Sequence, residues 1–221
     1  MKQIFFAAIF IVALLASVGT VSANLITNSG FETPVNTQSW QIYADGTPGL
    51  VWNVQDGIGW YDSSVPTAVE YQTASTIGLT PFGGSQYAEL DSYGNVNISQ
   101  VITTEKDATY RISFAQSCRS GDSGLPSILG VYLNDANLLT TRCSAQAWIV
   151  HTVDVTGDGG EMTLKFADEG VSSSYGVLLD DISVEKIDGP IPAPEFPSVF
   201  LPVTFIIGFL GAVLMIQRTR E

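Results

Sequence analysis

The sequence predicts an all-β domain, a β-sandwich of the jelly-roll type. Residues 109–118 and residues 162–167 alternate apolar with small or polar side chains, the period-two pattern of strands that bury one face. Turn-forming clusters rich in Gly, Asn and Asp separate such stretches, and no long amphipathic helix pattern lies between the two ends of the chain. Many short strands at this spacing are typical of sandwiches and jelly rolls.

The other strands follow from shorter apolar stretches bounded by turn residues. Gly83-Gly84, Asn134-Asp135 and the Gly-Asp-Gly-Gly run at 157–160 mark turns between them, and no internal repeat is present. Besides the two stretches above, strands are predicted over residues 86–90, 97–103, 128–133, 148–155 and 177–185.

The turn at 157–160 also resembles the start of a calcium-binding loop. Asp154, Thr156 and Asp158 repeat the first ligand positions of an EF-hand, but position twelve, which requires a bidentate Glu, holds Lys165. Because no helices flank this segment, we expect a Gly-rich β-hairpin here rather than a metal site.

The first 23 residues have the composition of an export signal. Lys2 provides a positive start, residues 4–18 are apolar, and Val21-Ser22-Ala23 is a small-residue cleavage site. The mature chain is therefore expected to start at Asn24, with an uncleaved anchor as the alternative. The jelly-roll domain is expected to span residues 24–186, which is long enough for one domain with its own core.

The other end of the chain predicts a membrane anchor. Four prolines in residues 187–198 indicate an extended stalk. Residues 199–217 form an apolar segment, and a transmembrane helix needs roughly 20 such residues. Residues 218–221 carry two arginines, which resist translocation and should stay in the cytoplasm.

The triplet Pro194-Glu195-Phe196, followed by this apolar segment and basic end, resembles the PEF-CTERM sorting signal of archaeal surface proteins. The resemblance implies an archaeosortase partner, a membrane-embedded cysteine transpeptidase that recognises the triplet. It would cut nearby and transfer the new carboxyl end to a lipid. An ordinary C-terminal anchor that is never cut is the alternative. Both place the domain at the cell surface, on the outer side of the plasma membrane.

The charge of the domain excludes one class of partner. Three of the nine cations and two of the 22 acidic residues lie in the terminal segments, so residues 24–188 carry six cations and 20 acids, a net charge of −14. Such a surface repels nucleic acid and anionic lipid headgroups. An acidic surface is compatible with binding of divalent cations or neutral ligands and with a salty exterior. The alternative is that it serves only to keep the domain soluble.

The two cysteines, Cys118 and Cys143, predict one disulfide, the simplest state of two cysteines in an exported protein. Each lies near the end of a strand-like stretch, so the bond is expected to tie neighbouring strands. A metal site would need more ligands nearby, and His151 is the single histidine of the chain.

Several motifs in order resemble the galactose-binding-like jelly rolls, a group that includes many carbohydrate-binding modules. They are NLITNSGFETP at 24–34, GGSQYAELDSYGNVNISQVI at 83–102, YRISFAQSCRSG at 110–121, LGVYLN at 129–134 and LLDDISV at 178–184. In such modules a structural calcium often lies between the first and last strands. Carried over by position, its ligands would be Glu32, Asp180 and Asp181, with Asp180 preferred because strand alternation turns it toward the core. The alternative is that these aspartates hydrogen-bond the backbone.

Catalytic motifs are incomplete. Glu89-Leu90-Asp91 begins like the Glu-x-Asp-x-x-Glu strand of some jelly-roll glycosidases, but the acid/base partner is missing. His151 lies in an ordinary strand pattern without a nucleophile elbow, so we interpret it as a surface or packing residue. The sequence therefore predicts a protein that is not an enzyme.

A sugar-binding site uses aromatic faces together with a few polar groups. Trp60 and Tyr61, in a Gly-containing stretch, and Arg119 and Asp122, in the loop after Cys118, are the predicted ligand-binding residues. Trp52 and Trp148 are expected in the core. The further aromatic candidates are Trp40, Tyr93 and Tyr175.

Asn97-Ile98-Ser99 is the one N-glycosylation sequon.

Two classes of function remain open. The domain binds a surface glycan non-catalytically, or it is a structural component of the envelope or matrix that acts through protein–protein or self-association.

Overall fold

The computed structural model describes residues 23–61, 64, 66–119 and 127–187, with residues 58–61 as backbone alone. The predicted signal peptide, the stalk, the triplet Pro194-Glu195-Phe196 and the apolar segment 199–217 lie outside the described residues, apart from Ala23 at the end of the signal peptide and Ile187 at the start of the stalk. Within the described part, no helix has the length and apolar character needed to cross a membrane.

Two antiparallel sheets form the sandwich that the sequence predicts. The six-stranded sheet has the order β1-β3-β4-β11-β6-β9, and the five-stranded sheet has the order β2-β5-β10-β7-β8. The strands are β1 Trp40–Ala44, β2 Asn53–Tyr61, β3 Ala68–Gln72, β4 Tyr87–Glu89, β5 Gly94–Thr103, β6 Thr109–Cys118, β7 Ser127–Leu133, β8 Ala136–Cys143, β9 Ile149–Thr156, β10 Glu161–Asp168 and β11 Val177–Ile187. One short helix, α1 Ala74–Ile77, follows β3.

The core lies between the sheets and is rich in aromatic side chains. Phe31 stacks on Trp52 at 5.5 Å, and Phe166 meets Trp52 and Phe114 edge to face. Trp52 is therefore in the core, as predicted. The larger set of apolar residues around them is contributed by the inward-facing positions of both sheets, because alternate residues of a strand point to the same side.

Trp148 is not a core residue, contrary to the sequence-based expectation. It is half-buried on the outer side of the six-stranded sheet, where it packs edge to face on Tyr87 and Phe82. Its indole N–H donates to the carbonyl of Thr80 at 2.8 Å. The ring thus covers part of the outer face, and the polar tip of an indole is satisfied there without entering the core.

The predicted disulfide joins Cys118 and Cys143, with 5.8 Å between their Cα atoms. It differs from expectation in what it connects, because Cys118 ends β6 in one sheet and Cys143 ends β8 in the other. The bond therefore fixes the two sheets to each other at the point where the chain continues into Arg119.

The run at 157–160 is also different from its prediction. The hairpin expected between Asp154 and Lys165 is not formed, because β9 pairs with β6 while β10 pairs with β5 and β7. The turn carries the chain from one sheet to the other. Gly157 is required there, since a Cβ would overlap the carbonyl of Glu105.

Candidate functional site

A row of side chains crosses the six-stranded sheet on the face that points away from the core. Strand register pairs Ile42 with Glu70, Glu70 with Glu89, and Glu89 with Leu178. The intervening residues, such as Val69 and Ala88, belong to the core cluster. Alternation therefore places two carboxylates side by side on the outer face.

Gln72 bridges these two carboxylates. Its amide nitrogen donates to Glu70 Oε1 at 2.7 Å and also to Glu89 Oε2, while its carbonyl oxygen accepts from the Tyr87 hydroxyl at 3.1 Å. The backbone N–H of Gly176 donates to the other oxygen of Glu89 at 2.9 Å. The polar groups form a continuous hydrogen-bonded network, which is the condition for burying them.

Arg119 supplies the positive charge of this network. Its Nη1 donates to Glu89 Oε2 at 3.3 Å and to the carbonyl of Ser174 at 3.1 Å. The guanidinium lies over the ring of Tyr175, 4.9 Å from the ring centre, a cation–π arrangement. Cys118, the residue before Arg119, is fixed by the disulfide. The backbone of Arg119 is therefore restrained in addition to its side chain.

The segment that supplies Ser174 and Tyr175 is held by Asp91. This buried carboxylate accepts from the hydroxyl of Ser172 at 3.0 Å and from the backbone N–H groups of Ser173 at 2.6 Å and Ser174 at 2.9 Å. A carboxylate that caps successive backbone N–H groups fixes a loop in one conformation. The loop beside Arg119 is therefore built before any ligand binds.

Burial and mutual repulsion shift the titration of the two glutamates. Burial, with the nearby charge of Glu70, raises the pKa of Glu89 to about 8 against the opposing effects of Gly176 and Arg119. Burial raises the pKa of Glu70 as well, and hydrogen bonds from Gln72 and Ser92 oppose that shift. Near neutral pH the pair therefore tends to carry fewer than two negative charges.

Two exposed aromatic side chains border this network. Trp40, the first residue of β1, is 46% exposed, and Tyr93, in the turn between β4 and β5, is 37% exposed. Together with Glu70, Ser92, Arg119 and Ser174 they line a cleft of about 240 Å³. We call this set the aromatic cleft. Its rim offers ring faces, and its floor offers oriented charged and polar groups.

The structure brings part of the predicted ligand-binding set to this place. Arg119 lines the aromatic cleft, as do the further candidates Trp40 and Tyr93. Tyr61 pairs its backbone with Gly94, the residue after Tyr93, so the end of β2 is at the same end of the sandwich. The side chains of Trp60 and Tyr61, and all of Asp122, lie outside what the structure describes.

Glu70, Gln72 and Glu89 were not predicted from the sequence as site residues. The signal was present, because each is a charged or amide residue inside an apolar strand, and such residues are rarely buried without a partner. Strand β3 reads AVEYQ and is buried at every position. The sequence does not show which strand would supply the partner.

The two carboxylates of the network share one amide group between them. Glycosidases place two carboxyl groups on opposite sides of a scissile bond, roughly 5–9.5 Å apart. Here one amide of Gln72 fills the space between Glu70 and Glu89, and Glu89 is fully buried. His151 is a packing residue, because its ring stacks on Phe114 at 5.3 Å and burial lowers its pKa.

Glu32 and Asp180 lie together against the segment 82–86. Glu32 Oε1 accepts from the backbone N–H groups of Ser85 at 2.8 Å and Gln86 at 3.2 Å, and Asp180 Oδ2 accepts from that of Gly83 at 3.0 Å. Gly84 has φ +60°, and a Cβ there would overlap the Glu32 carboxylate. Glycine is therefore required where this segment approaches Glu32.

Two of the three predicted calcium ligands fit a hard cation by their chemistry. Asp180 is fully buried, forms none of the ion pairs found in the described residues, and has a pKa that burial raises to about 7. Asp181 is exposed and has φ +48°. No cluster of three or more His, Cys, Asp or Glu side chains suited to a metal ion occurs among the described residues. Carbonyl oxygens or water would have to complete the site.

The outer face of the five-stranded sheet has a wider, polar groove of about 740 Å³. Asn53, Gln55, Ser99 and Thr163 line it together with Lys165, whose ammonium group pairs with Asp135 at 2.7 Å. The sequon residue Asn97 is on the same strand as Ser99, and its amide donates to the carbonyl of Asp56 at 3.1 Å.

No model of a known protein family matches this chain, and no curated protein does. Several solved structures are similar to it. TmCBM61, solved in complex with β-1,4-galactotriose, has 17% identity and a TM-score of 0.40 over 75% of this chain and all of its own. The CBM22-1 xylan-binding domain of Paenibacillus barcinonensis Xyn10C has 12% identity and a TM-score of 0.46 over 78% of this chain and 99% of its own.

Not every similar structure is a carbohydrate-binding module. The K2 cleaved adhesin domain of Lys-gingipain has 16% identity and a TM-score of 0.46 over 70% of this chain and 96% of its own. At these levels the similarity assigns no ligand to this chain.

Proposed function

We propose that this domain binds carbohydrate without chemical conversion, and that the aromatic cleft is the binding site. The observation that carries the proposal is the pairing of two exposed rings, Trp40 and Tyr93, with a preformed polar floor of Glu70 and Arg119. Sugar rings present C–H groups on one face and hydroxyls at the edge, so they need both kinds of surface in one place.

The floor has what is needed to orient hydroxyl groups. Glu70 accepts hydrogen bonds, and Arg119 donates them from a position fixed by Glu89, Ser174 and Tyr175. Because these groups are already ordered, binding costs little side-chain entropy at the site. The ligand is expected to be a neutral glycan, since the domain carries a large net negative charge.

The test is a glycan screen with the exported domain, followed by titration of any glycan that binds. Removing Trp40 by Trp40→Ala should weaken binding about tenfold or more, because a buried ring face contributes about 1.5–3 kcal/mol. Phe82→Ala is the matched control, since Phe82 is 45% exposed, comparable to Trp40, and does not line the cleft. Equal affinity of wild type and Trp40→Ala for the same glycan would reject this site.

The proposal is non-catalytic because Gln72 lies between the carboxylates and closes the space a scissile bond would need. Incubation with any glycan that binds should yield no new reducing ends. Release of reducing sugar that is lost in Glu70→Gln would show instead that the pair performs hydrolysis.

Delivery to the cell surface is the second part of the proposal. It rests on the sequence of the two ends of the chain, with an export signal over residues 1–23 and the PEF triplet before an apolar segment. An archaeosortase is the proposed processing partner. Mass spectrometry of the mature protein tests this, since processing predicts a start at Asn24 and a lipid in place of residues after the triplet. An intact C-terminus at Glu221 would leave an ordinary anchor.

A structural calcium ion is the third part, held by Glu32 and Asp180 with carbonyl and water oxygens. This part is supported by Asp180, whose carboxylate is buried and takes part in none of the ion pairs among the described residues. The ion would supply the missing positive charge and fix the first strand region to the last. It would act on stability, because neither Glu32 nor Asp180 lines the aromatic cleft.

A further inference from the structure

Strand β9, Ile149–Thr156, forms one edge of the six-stranded sheet. It pairs with β6 on one side, from Gln116 opposite Ile149 to Thr109 opposite Thr156, and with no other strand among the described residues. The pairing is continuous over all eight residues. The free side of β9 therefore presents a regular row of backbone N–H and C=O groups, which is a template for another strand.

This edge has none of the usual protections. Six of its eight residues are Ile, Val or Thr, and it has no Pro, Gly or Lys. Ile149 is 52% exposed and Val150 is 50% exposed. The one charged residue, Asp154, is neutralised by Arg111 on the neighbouring strand at 2.8 Å. Natural proteins commonly guard such edges with charges, prolines or bulges.

The other three edge strands are guarded in these ways. β1 has five residues, and β2 has an irregular register between Asp56 and Tyr61. β8 has an irregular register opposite the Val131–Tyr132 step and carries Arg142. Because the other edge strands of the same domain are protected, the lack of protection is specific to β9 and is not a general feature of the fold.

We propose that β9 is an association edge, which pairs antiparallel with β9 of a second copy of this chain and joins two six-stranded sheets into one. The proposal is independent of the carbohydrate site, because β9 does not line the aromatic cleft.

A second copy fits because the strand is complementary to itself. A two-fold axis through Thr152 or Val153 keeps equivalent faces together and aligns all but one of the eight residues of each copy. In either register, the two Asp154 side chains are not opposite each other. Elsewhere the domain is strongly acidic and would repel a copy of itself, whereas β9 and its neighbour Arg111 are locally neutral.

The chain's own tail is a poorer occupant. Ile187, the last described residue, lies opposite Thr109, and Thr109 lies opposite Thr156 at the end of β9. The residues that follow Ile187 in the sequence have proline at positions 190, 192, 194 and 197. Proline lacks the N–H that a ladder requires, so this segment cannot form a regular strand.

The experiment is sedimentation of the full chain in detergent and of residues 24–187 in buffer, a segment that contains both sheets, the core and the disulfide. Wild type should form dimers at micromolar concentration. Val150→Asp should weaken dimer formation at least about tenfold, because two additional carboxylates then enter each interface, and in the register about Thr152 each lies opposite Asp154 of the other copy. Val101→Asp is the matched control, since Val101 is 59% exposed but lies on β5, a central strand.

Hydrogen exchange provides the second readout. In the dimer, amides of β9 should become more protected as concentration rises, while those of the edge strand β2 should not change. The proposal is overturned if wild type is monomeric throughout the micromolar range, if Val150→Asp dimerises as well as Val101→Asp, or if dimers leave β9 exchange unchanged.

Discussion

The disulfide between the sheets is expected to be the largest single covalent contribution to stability. It closes a segment of 25 residues, from Cys118 at the end of β6 to Cys143 at the end of β8. The chain-entropy relation for a loop of this length gives about 12 cal/mol/K, which is about 3.5 kcal/mol at 25 °C. For a domain of this size, that corresponds to a lower melting temperature by roughly 7–14 °C.

Urea unfolding measures this contribution in two ways. The wild type is unfolded with and without a reductant, and the variant Cys118→Ala/Cys143→Ala is unfolded in buffer. The two differences should agree to within about 1 kcal/mol, apart from a cavity contribution in the variant. Because both sulfurs are in the bond, a thiol reagent should label neither the native protein nor the protein unfolded without a reductant.

A difference below about 1 kcal/mol would refute this reasoning, because it would show that the cross-link restricts the unfolded chain very little. Stoichiometric labelling of two thiols in the native protein would refute the pairing itself. The folded variant should still bind any glycan ligand, since Arg119 keeps its contacts to Glu89 and Ser174.

Three further predictions concern charge. Burial raises the pKa of Glu89 to about 8 in the folded protein. The stability that its protonated form contributes is therefore complete below 4.5, its pKa in the unfolded chain, and is lost as pH rises through about 8. Urea unfolding should show this fall in stability, and Glu89→Gln should make the fall smaller. Calcium should raise the melting temperature more above pH 7 than below, since burial raises the pKa of Asp180 to about 7; Asp180→Asn should remove the response and Asp181→Asn should retain it. Arg119→Lys should weaken glycan binding several-fold in titrations, because lysine cannot both stack and donate to two oxygens, whereas Arg111→Lys should not.

Strands with one buried face were predictable from the sequence. The stretch 109–118 coincides with β6, and 162–167 lies within β10, because each buries alternate residues. Strand β3 was missed since all five of its residues are buried and no alternation remains. Strand β8 was missed for the opposite reason, as most of its side chains are exposed or half-buried at the sheet edge. The pattern is informative only where the two faces of a strand differ.

The candidate site was partly predictable. Arg119 follows a cysteine with a defined partner, so its position at a strand end could be argued locally. The floor of the cleft depends instead on which strands are neighbours, since Glu70 and Glu89 come together only through the pairing of β3 with β4. Trp40 could be named as a candidate aromatic residue, but its exposure depends on where β1 lies in the sheet. Composition and spacing do not contain that information.

Calorimetric titration of wild type, Trp40→Ala and Phe82→Ala with a glycan selected on the wild-type protein shows whether the aromatic cleft binds carbohydrate. We predict that Trp40→Ala loses about tenfold or more in affinity while Phe82→Ala binds like wild type. Unchanged affinity in Trp40→Ala, or equal losses in both variants with both folded, would contradict the assignment of the aromatic cleft as the carbohydrate site.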